Sequence, residues 1–380
     1  MERTEAVVVG AGPVGMALAI ALAQARIPFR ILDARGPGAA EQDRRVLALA
    51  HGSRQILTRL GVWGRFQTTP IETIHISHQG GFGRTLIRAA EYGLPALGYV
   101  ADAAAIATAL QEALTTLGIG IDHDTRVANV AATPDDVVVS IDGQRGPATL
   151  RAKLVAHAEG AVDSKDCRGR DYGQQAIITS VRTAEPPKGT AYERFTADGP
   201  FALLPYRDGY AVVYTAPTAE AQRLVSLDDA TFLRALQAQF GTRRQFVSAT
   251  PRAAFPLALK VRAEPVAPRC VWLGNAAQTL HPVAGQGFNL ALRDVWGLSE
   301  VLTRDLAGDP GAATLLARYR AARQLDRRTT ITFTDTLIRV FGSTNPLLTL
   351  ARGSGLAALD LLPPLREFVA RRMIFGARGW

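Results

Sequence analysis

Two glycine-bearing turns, almost the whole chain apart, hold the residues best suited to chemistry. The first is Gly10-Ala11-Gly12-Pro13-Val14-Gly15. It follows the apolar run Ala6–Val9 and leads into the Ala-, Leu- and Ile-rich stretch Val14–Gln24, a strand–turn–helix pattern. In such a unit the first glycine permits the turn, the second lets a diphosphate approach the backbone, and the third lets the helix pack on the strand. The free N–H groups at the helix start, from Val14 onward past Pro13, then face the phosphates. Asp33 stands 18 residues after Gly15, closing the next strand Phe29–Leu32, where its carboxylate can accept from ribose hydroxyls. The unit implies a dinucleotide; it does not choose between NAD and FAD.

The second block runs from Leu273-Gly274-Asn275 through His281-Pro282 to Gly285-Gln286-Gly287-Phe288-Asn289 and on to Asp294. A strand ends at Gly274, a polar loop follows, and a helix starts at Gly285-Gln286-Gly287. Its N-terminus offers N–H donors and the positive end of a dipole. Aimed at the pyrimidine end of a flavin, it would stabilise negative charge on the reduced ring; the plainer reading is an ordinary glycine-rich helix start.

These turns need a scaffold, and the 380 residues are enough to bury a large core in two interleaved domains. The 47% apolar and 20% charged composition is that of a soluble globular chain. No apolar run reaches the roughly 18 residues of a spanning helix, and the N-terminus has no signal-peptide pattern. Two distant cysteines, Cys167 and Cys270, exclude a disulfide framework and favour the cytoplasm. The six histidines show no metal-ligand spacing. The net charge of +9 fits a basic surface, or attraction to an anionic membrane face or cofactor. No basic run is interleaved with aromatics, which argues against nucleic acid.

The pattern predicts an α/β fold: a Rossmann-type domain formed by residues 1–70, 97–170 and 263–330, an inserted antiparallel sheet formed by 71–96 and 171–262, and a helical segment over 331–380. Helices are expected near Ser53–Leu60 and Ala101–Leu117, and a hairpin-like pair at Asp124–Val130 and Asp136–Ile141. Breaks are expected at Pro346 and Pro363-Pro364.

The second block resembles the motif of the flavoprotein aromatic hydroxylases in the form used by the ubiquinone-biosynthesis hydroxylases, and within them most resembles the 2-polyprenyl-6-methoxyphenol hydroxylases. The resemblance spans nearly the whole chain. It includes Asp43-Arg44-Arg45-Val46-Leu47-Ala48-Leu49, Gly61-Val62-Trp63, Arg126-Val127-Ala128-Asn129-Val130, Tyr192-Glu193-Arg194-Phe195 with Gly199-Pro200, Leu203-Leu204-Pro205, and Tyr319, Arg323, Asp326 and Arg327. It implies a p-hydroxybenzoate hydroxylase-like fold, FAD as resident cofactor, NAD(P)H as transient reductant, and O2 as the source of an oxygen placed on a polyprenyl phenol. It further implies that Arg45 lies along the FAD, that Val127 contacts the adenine side, and that Asn275 faces the ribityl chain. Gly285, Gly287, Phe288 and Asn289 would lie at the flavin ring, with Pro282 near its reacting face. The family pattern has Asp at the position of Asn275, which keeps an acceptor oxygen but no charge. It also has Asp at Glu159, which keeps the carboxylate on a longer arm.

Other residues stay open at this level. His281 could polarise or deprotonate a phenol, since histidine titrates near neutral pH; a loop histidine bonded to backbone fits equally. Arg194 and Tyr206 sit on expected strands, each with even odds of facing inward. The tail from Leu361 to Phe375, with Trp380 at its end, mixes apolar and basic residues. It suits a peripheral membrane contact, docking on other ubiquinone-biosynthesis proteins, or packing on the body. The expected activity is hydroxylation of 2-polyprenyl-6-methoxyphenol. The alternatives are another ring position, another phenol, or a non-catalytic, lipid-binding flavoprotein-like subunit.

Overall fold

The computed structural model describes residues 2–80, 83–144, 146–160, 166–306, 308–342 and 346–376, with the side chains at 284, 341–342 and 346–352 left aside. A five-stranded sheet organises the first part of the chain, in the order Val266–Ala267, Cys270–Trp272, Leu154–His157, Ala6–Val9, Phe29–Leu32. Its central pairs are parallel: Val7 faces Val155 on one side and Arg30 on the other, and Val155 faces Cys270. Parallel strands carry apolar residues on both faces because both are covered, which is why Ala6–Val9 is buried throughout.

The helix Pro13–Gln24 lies on one face of this sheet. Met16, Leu18, Ile20 and Leu22 are fully enclosed by it, by the helix Ala103–Thr116 and by the helix Gln286–Thr303. Each such side chain contributes roughly 1.5–3 kcal/mol on burial, so the first glycine turn rests on a stiff base.

The second large sheet has nine strands. Its long strand Cys167–Thr183 pairs with Ala253–Arg262 and Gly209–Pro217; Pro200–Tyr206 and Thr190–Phe195 continue the sheet, followed by Thr73–His78 and Arg84–Arg88. The expected antiparallel sheet has one parallel junction, between Thr190–Phe195 and Thr73–His78. A long excursion separates those strands, and only such a crossover allows parallel pairing. One face is packed by the helices Thr218–Ser226 and Asp229–Phe240 through Phe201, Tyr210, Tyr214, Phe232 and Phe240. The opposite face looks into a cavity.

Smaller elements follow the sequence closely. Helices occupy His51–Arg59 and Ala103–Thr116. The hairpin Arg126–Ala132 and Val137–Gly143 gains a third strand, Gly146–Ala152. The C-terminal part forms the helices Ala313–Gly342, Pro346–Leu361 and Pro363–Phe375. Proline suits a first helical turn, where its missing N–H is no loss. Trp380 lies outside the described residues.

Candidate active site

The three glycines of the first turn do three different things. Gly10 has φ +98°, and a Cβ there would lie 2.8 Å from the Ala158 carbonyl oxygen. At Gly15 a Cβ would lie 1.8 Å from the Gly10 carbonyl oxygen. These two glycines let strand, turn and helix close on each other. Gly12 is different: a Cβ would meet nothing within 4 Å, and the residue lines the cavity. Pro13 follows as first helical residue, and no side chain caps the helix start. The first-turn donors are thus left for an anion.

Asp33 closes the second strand and is buried. Its Oδ2 accepts from the Ala11 N–H at 2.7 Å, and its Oδ1 accepts from the backbone N–H and Nε of Arg35 at 2.8 and 3.0 Å. Burial pushes this carboxyl up, but the hydrogen bonds from Arg35 and Ala11 outweigh it and hold it below its usual range. Asp33 therefore braces the glycine turn, and a ribose hydroxyl would share an already occupied carboxylate.

At the other end of the cavity, Gly285 takes φ +59° as N-cap of the helix Gln286–Thr303. A Cβ on it would press on Ala48, 3.1 Å away. Gly287 is open, with nothing within 4 Å of a Cβ. Gly287 and Phe288 line the cavity, and no side chain caps this helix start. Asn289 lies behind the wall. Its Nδ2 donates to the Ala48 and Gly285 carbonyls at 2.9 and 2.7 Å, and its Oδ1 accepts from the Ala50 N–H and the Ser53 hydroxyl at 2.8 and 2.7 Å. Those four bonds use the full capacity of an amide. Asn289 ties the helix start to the strand Val46–Ala50 and has nothing left to offer a flavin directly.

Both ends open on one cavity of about 1430 Å³. Its walls include Gly10, Gly12, Pro13, Val14 and Asp33 from the first unit, Arg45, Val127 and Glu159 from the middle, and Asn275, Pro282, Gly285, Gly287 and Phe288 from the second block. Gly15, His281 and Asn289 are not among them. Single-ligand sites usually measure roughly 300–1,000 Å³, so this space suits a large cofactor with a second molecule beside it.

The description "FAD binding domain" fits residues 3–334 by its family model. The chain belongs to that family. Ubiquinone hydroxylase UbiL of Rhodospirillum rubrum is 32% identical over 97% of this chain and 88% of its own length. The 3-demethoxyubiquinol 3-hydroxylase of Escherichia coli is 30% identical over 94% of this chain and 95% of its own. Among solved structures, p-nitrophenol 4-monooxygenase PnpA from Pseudomonas putida superposes with TM-score 0.79 over the full length of both chains at 18% identity. The fold is thus that of the flavin monooxygenases.

The donor set of this FAD-binding protein fits its cofactor: an uncapped helix start beside an unobstructed glycine at one end, and a second uncapped helix start at the other. Three arginines, Arg35, Arg45 and Arg126, line the dinucleotide end. Arg45 is held by Asp43 at 2.6 Å. Arg126 makes no ion pair among the described residues; the sequence pointed one residue further, to Val127. Glu159 lies 3.0 Å from His157 Nδ1. The Asn275 side chain has no hydrogen-bond partner among the described residues and faces the cavity.

His281 is fully buried outside the cavity wall. Its Nδ1 accepts from the Val283 N–H at 3.1 Å, and its ring meets Tyr172 edge-on. Burial lowers its pKa to about 4, so the ring is neutral at physiological pH and bonded to backbone. Arg194 and Tyr206 do not line the cavity either; Tyr206 donates to Asp102 at 2.6 Å. Of the polar residues on the strand of Arg194, Tyr192 and Glu193 line the cavity, and the sequence singles out neither.

Proposed function

We propose that the chain is an FAD-dependent hydroxylase that uses NAD(P)H and O2 to hydroxylate a polyprenyl phenol in ubiquinone biosynthesis, with 2-polyprenyl-6-methoxyphenol as substrate. One observation carries this reading: a single cavity runs from the glycine turn, past the helix start at Gly287, to walls that are almost wholly aliphatic. Bound FAD supplies the electron path from NAD(P)H to O2. The chain's own part is to hold, orient and exclude water. Gly12, Pro13 and Val14 would receive the diphosphate, Arg45 and Arg126 would flank it, and Val127 and Asp33 would meet the adenosine. Glu159 and Asn275 would face the linker, and Gly285, Gly287 and Phe288 the ring. Pro282 would stand at the reacting face. Phe333, Leu337, Leu356, Leu359, Val369 and Met373 would enclose the prenyl chain.

The test has two parts. Purified protein is expected to show a flavin band that bleaches with NAD(P)H without oxygen; a colourless protein that takes up no added FAD rejects the reading. Deleting the protein is expected to make its source accumulate 2-polyprenyl-6-methoxyphenol. The E. coli relative, a 3-demethoxyubiquinol 3-hydroxylase, favours a second reading, hydroxylation at the 3-position of a demethoxyubiquinol, and accumulation of that compound instead would select it.

No helix among the described residues is long and apolar enough to cross a membrane. Peripheral contact rests on a different feature. The last helix buries Ala370, Ile374 and Phe375 against the body, while Leu361, Leu362, Leu365 and Phe368 are exposed at the junction with the preceding helix. Arg372 packs over Phe368 and Arg371 stands beside it, so apolar and basic groups face out together beside the aliphatic end of the cavity. An anionic bilayer surface matches both. Replacing Leu362 and Phe368 by serine is expected to lower co-sedimentation with phosphatidylglycerol vesicles about tenfold, since each apolar side chain is worth roughly 1.5–3 kcal/mol when fully buried and less in an interface. An unchanged bound fraction rejects the contact.

A further inference from the structure

The cavity face of the nine-stranded sheet carries one ionisable residue in an otherwise apolar row. Across the strands the register runs Ile76, Glu193, Ala202, Val213, Ile178, and all five line the cavity. The neighbouring row is Ile74, Ala191, Leu204, again without a polar side chain. The other charged residues of the cavity wall, Asp33, Arg35, Asp43, Arg45, Arg126 and Glu159, belong to the dinucleotide end.

Glu193 Oε1 has no hydrogen-bond partner among the described residues. An unpaired buried carboxylate costs several kcal/mol unless something meets it, so a fold that keeps one facing a cavity calls for a ligand donor. Its position says which part of the ligand. Phe195, on the same face of the strand, packs against Val283 in the loop before the helix start. Ala191, on the other side, packs in one cluster with Ala48, and Ala48 is the residue against which Gly285 sits. Glu193 thus stands on the wall facing residues 283–285.

We propose that Glu193 accepts the hydrogen bond of the substrate's phenolic hydroxyl and takes its proton as the ring is hydroxylated. The proton leaves oxygen for the carboxylate, and the freed electron pair raises electron density at the ortho and para carbons. The new C–O bond takes one oxygen atom of the O2 reduced by NAD(P)H; the ring C–H proton leaves with the other oxygen atom in the released water, aromaticity returns, and the phenol oxygen recovers its proton from Glu193. No net charge is created in the apolar site. Burial also raises this carboxyl to about 7, closer to a phenol than an ordinary glutamate and favourable for proton exchange. The charged and titratable groups around it are Tyr192 and Arg194 on its own strand, His75 and His78 on the adjoining strand, and Tyr206, Tyr210 and Tyr214 on the next two. Of these seven only Tyr192 lines the cavity, its hydroxyl accepting from Arg244 Nε at 3.0 Å, and burial alone accounts for the shift of Glu193.

This inference rests on the hydroxylase reading. The test compares FAD-loaded wild type, Glu193→Gln and Glu193→Asp with 2-farnesyl-6-methoxyphenol as probe. It follows hydroxylated product, NAD(P)H consumption, FAD content and the pH profile. Wild-type kcat/KM is expected to rise with pH through about 7 as the carboxylate forms. Glu193→Gln should lose that limb and about 10²–10³ in product formation, while keeping its FAD and consuming NAD(P)H without coupled hydroxylation. Glu193→Asp should restore part of the rate together with the limb. Product formation within about twofold of wild type in Glu193→Gln, or loss of FAD from both variants, overturns the assignment alone. Wild type that oxidises NAD(P)H yet hydroxylates no phenol overturns it together with the proposed function.

Discussion

Gly12→Val is expected to fold and to lose its FAD. A side chain at this position meets no protein atom within 4 Å, and the backbone there, at φ −74° and ψ 177°, is open to any L-residue. The only penalty to the empty fold is the poor fit of valine at an N-cap, on the order of 1 kcal/mol. The branched side chain does project into the cavity where the diphosphate would approach. Displacing that group from the helix start should weaken FAD at least about 100-fold, or roughly 3 kcal/mol. Absorbance of retained flavin after desalting, read beside the melting temperature of the flavin-free protein, separates the two effects. Gly15→Ala is the control with the opposite outcome, because its Cβ would lie 1.8 Å from the Gly10 carbonyl and must disturb the fold itself. Wild-type flavin content in Gly12→Val would mean that the diphosphate lies elsewhere.

That contrast also marks how far sequence can reach. The spacing of Gly10, Gly12 and Gly15 is local, and its geometric meaning survives in any strand–turn–helix unit, so three roles could be assigned before any coordinate. Asp33 closes its strand where the pattern puts it, but Arg35, two residues on, curls back to occupy it, and nothing in the sequence announces that. Asn289 sits in a block that reads as flavin-facing, yet its amide is spent on residues about 240 positions away. Such commitments arise from tertiary contact, and local pattern is blind to them. Glu193 and Arg194 show the limit for strands. Alternation says that only one of two neighbours faces inward, but the phase depends on which side the helices Thr218–Ser226 and Asp229–Phe240 cover. Their cover on the Tyr192 and Phe201 side turns Glu193 toward the cavity. His281 stayed open between two readings for a related reason, since its ordinary pKa carries no information about burial. The strand Gly146–Ala152 was passed over because it opens on Gly-Pro, a turn signal, and becomes a strand only by pairing with Val137–Gly143 and Glu2–Arg3.

Asp326→Ala is expected to destabilise the protein by about 3–5 kcal/mol and to loosen the flavin end of the cavity with it. Four charged side chains meet between the helices Gln286–Thr303 and Ala313–Gly342. Arg293 Nε lies 2.8 Å from Asp326, Arg323 lies 2.7 Å from Asp326 and 2.9 Å from Asp294, and all four are at most 7% exposed. Asp294 also accepts from Gln278 at 2.8 Å, and Gln278 accepts from Arg327 at 2.7 Å. Two positive and two negative groups balance, so the cluster tolerates burial. Without Asp326, Arg293 loses its partner and two guanidinium groups are left buried against one carboxylate. The site feels this because the first of those helices presents Gly287 and Phe288 to the cavity, and the second presents Phe333, Leu337 and Val340; the cluster fixes one wall against the other. Asp326→Asn, which keeps an acceptor oxygen but no charge, should fall between the two. High salt should rescue neither, because ions screen buried pairs poorly. Chemical denaturation followed by backbone signal, with flavin fluorescence recorded in parallel, tests the idea. A loss below about 1 kcal/mol, typical of exposed ion pairs, would show that the four charges do not clamp the two walls.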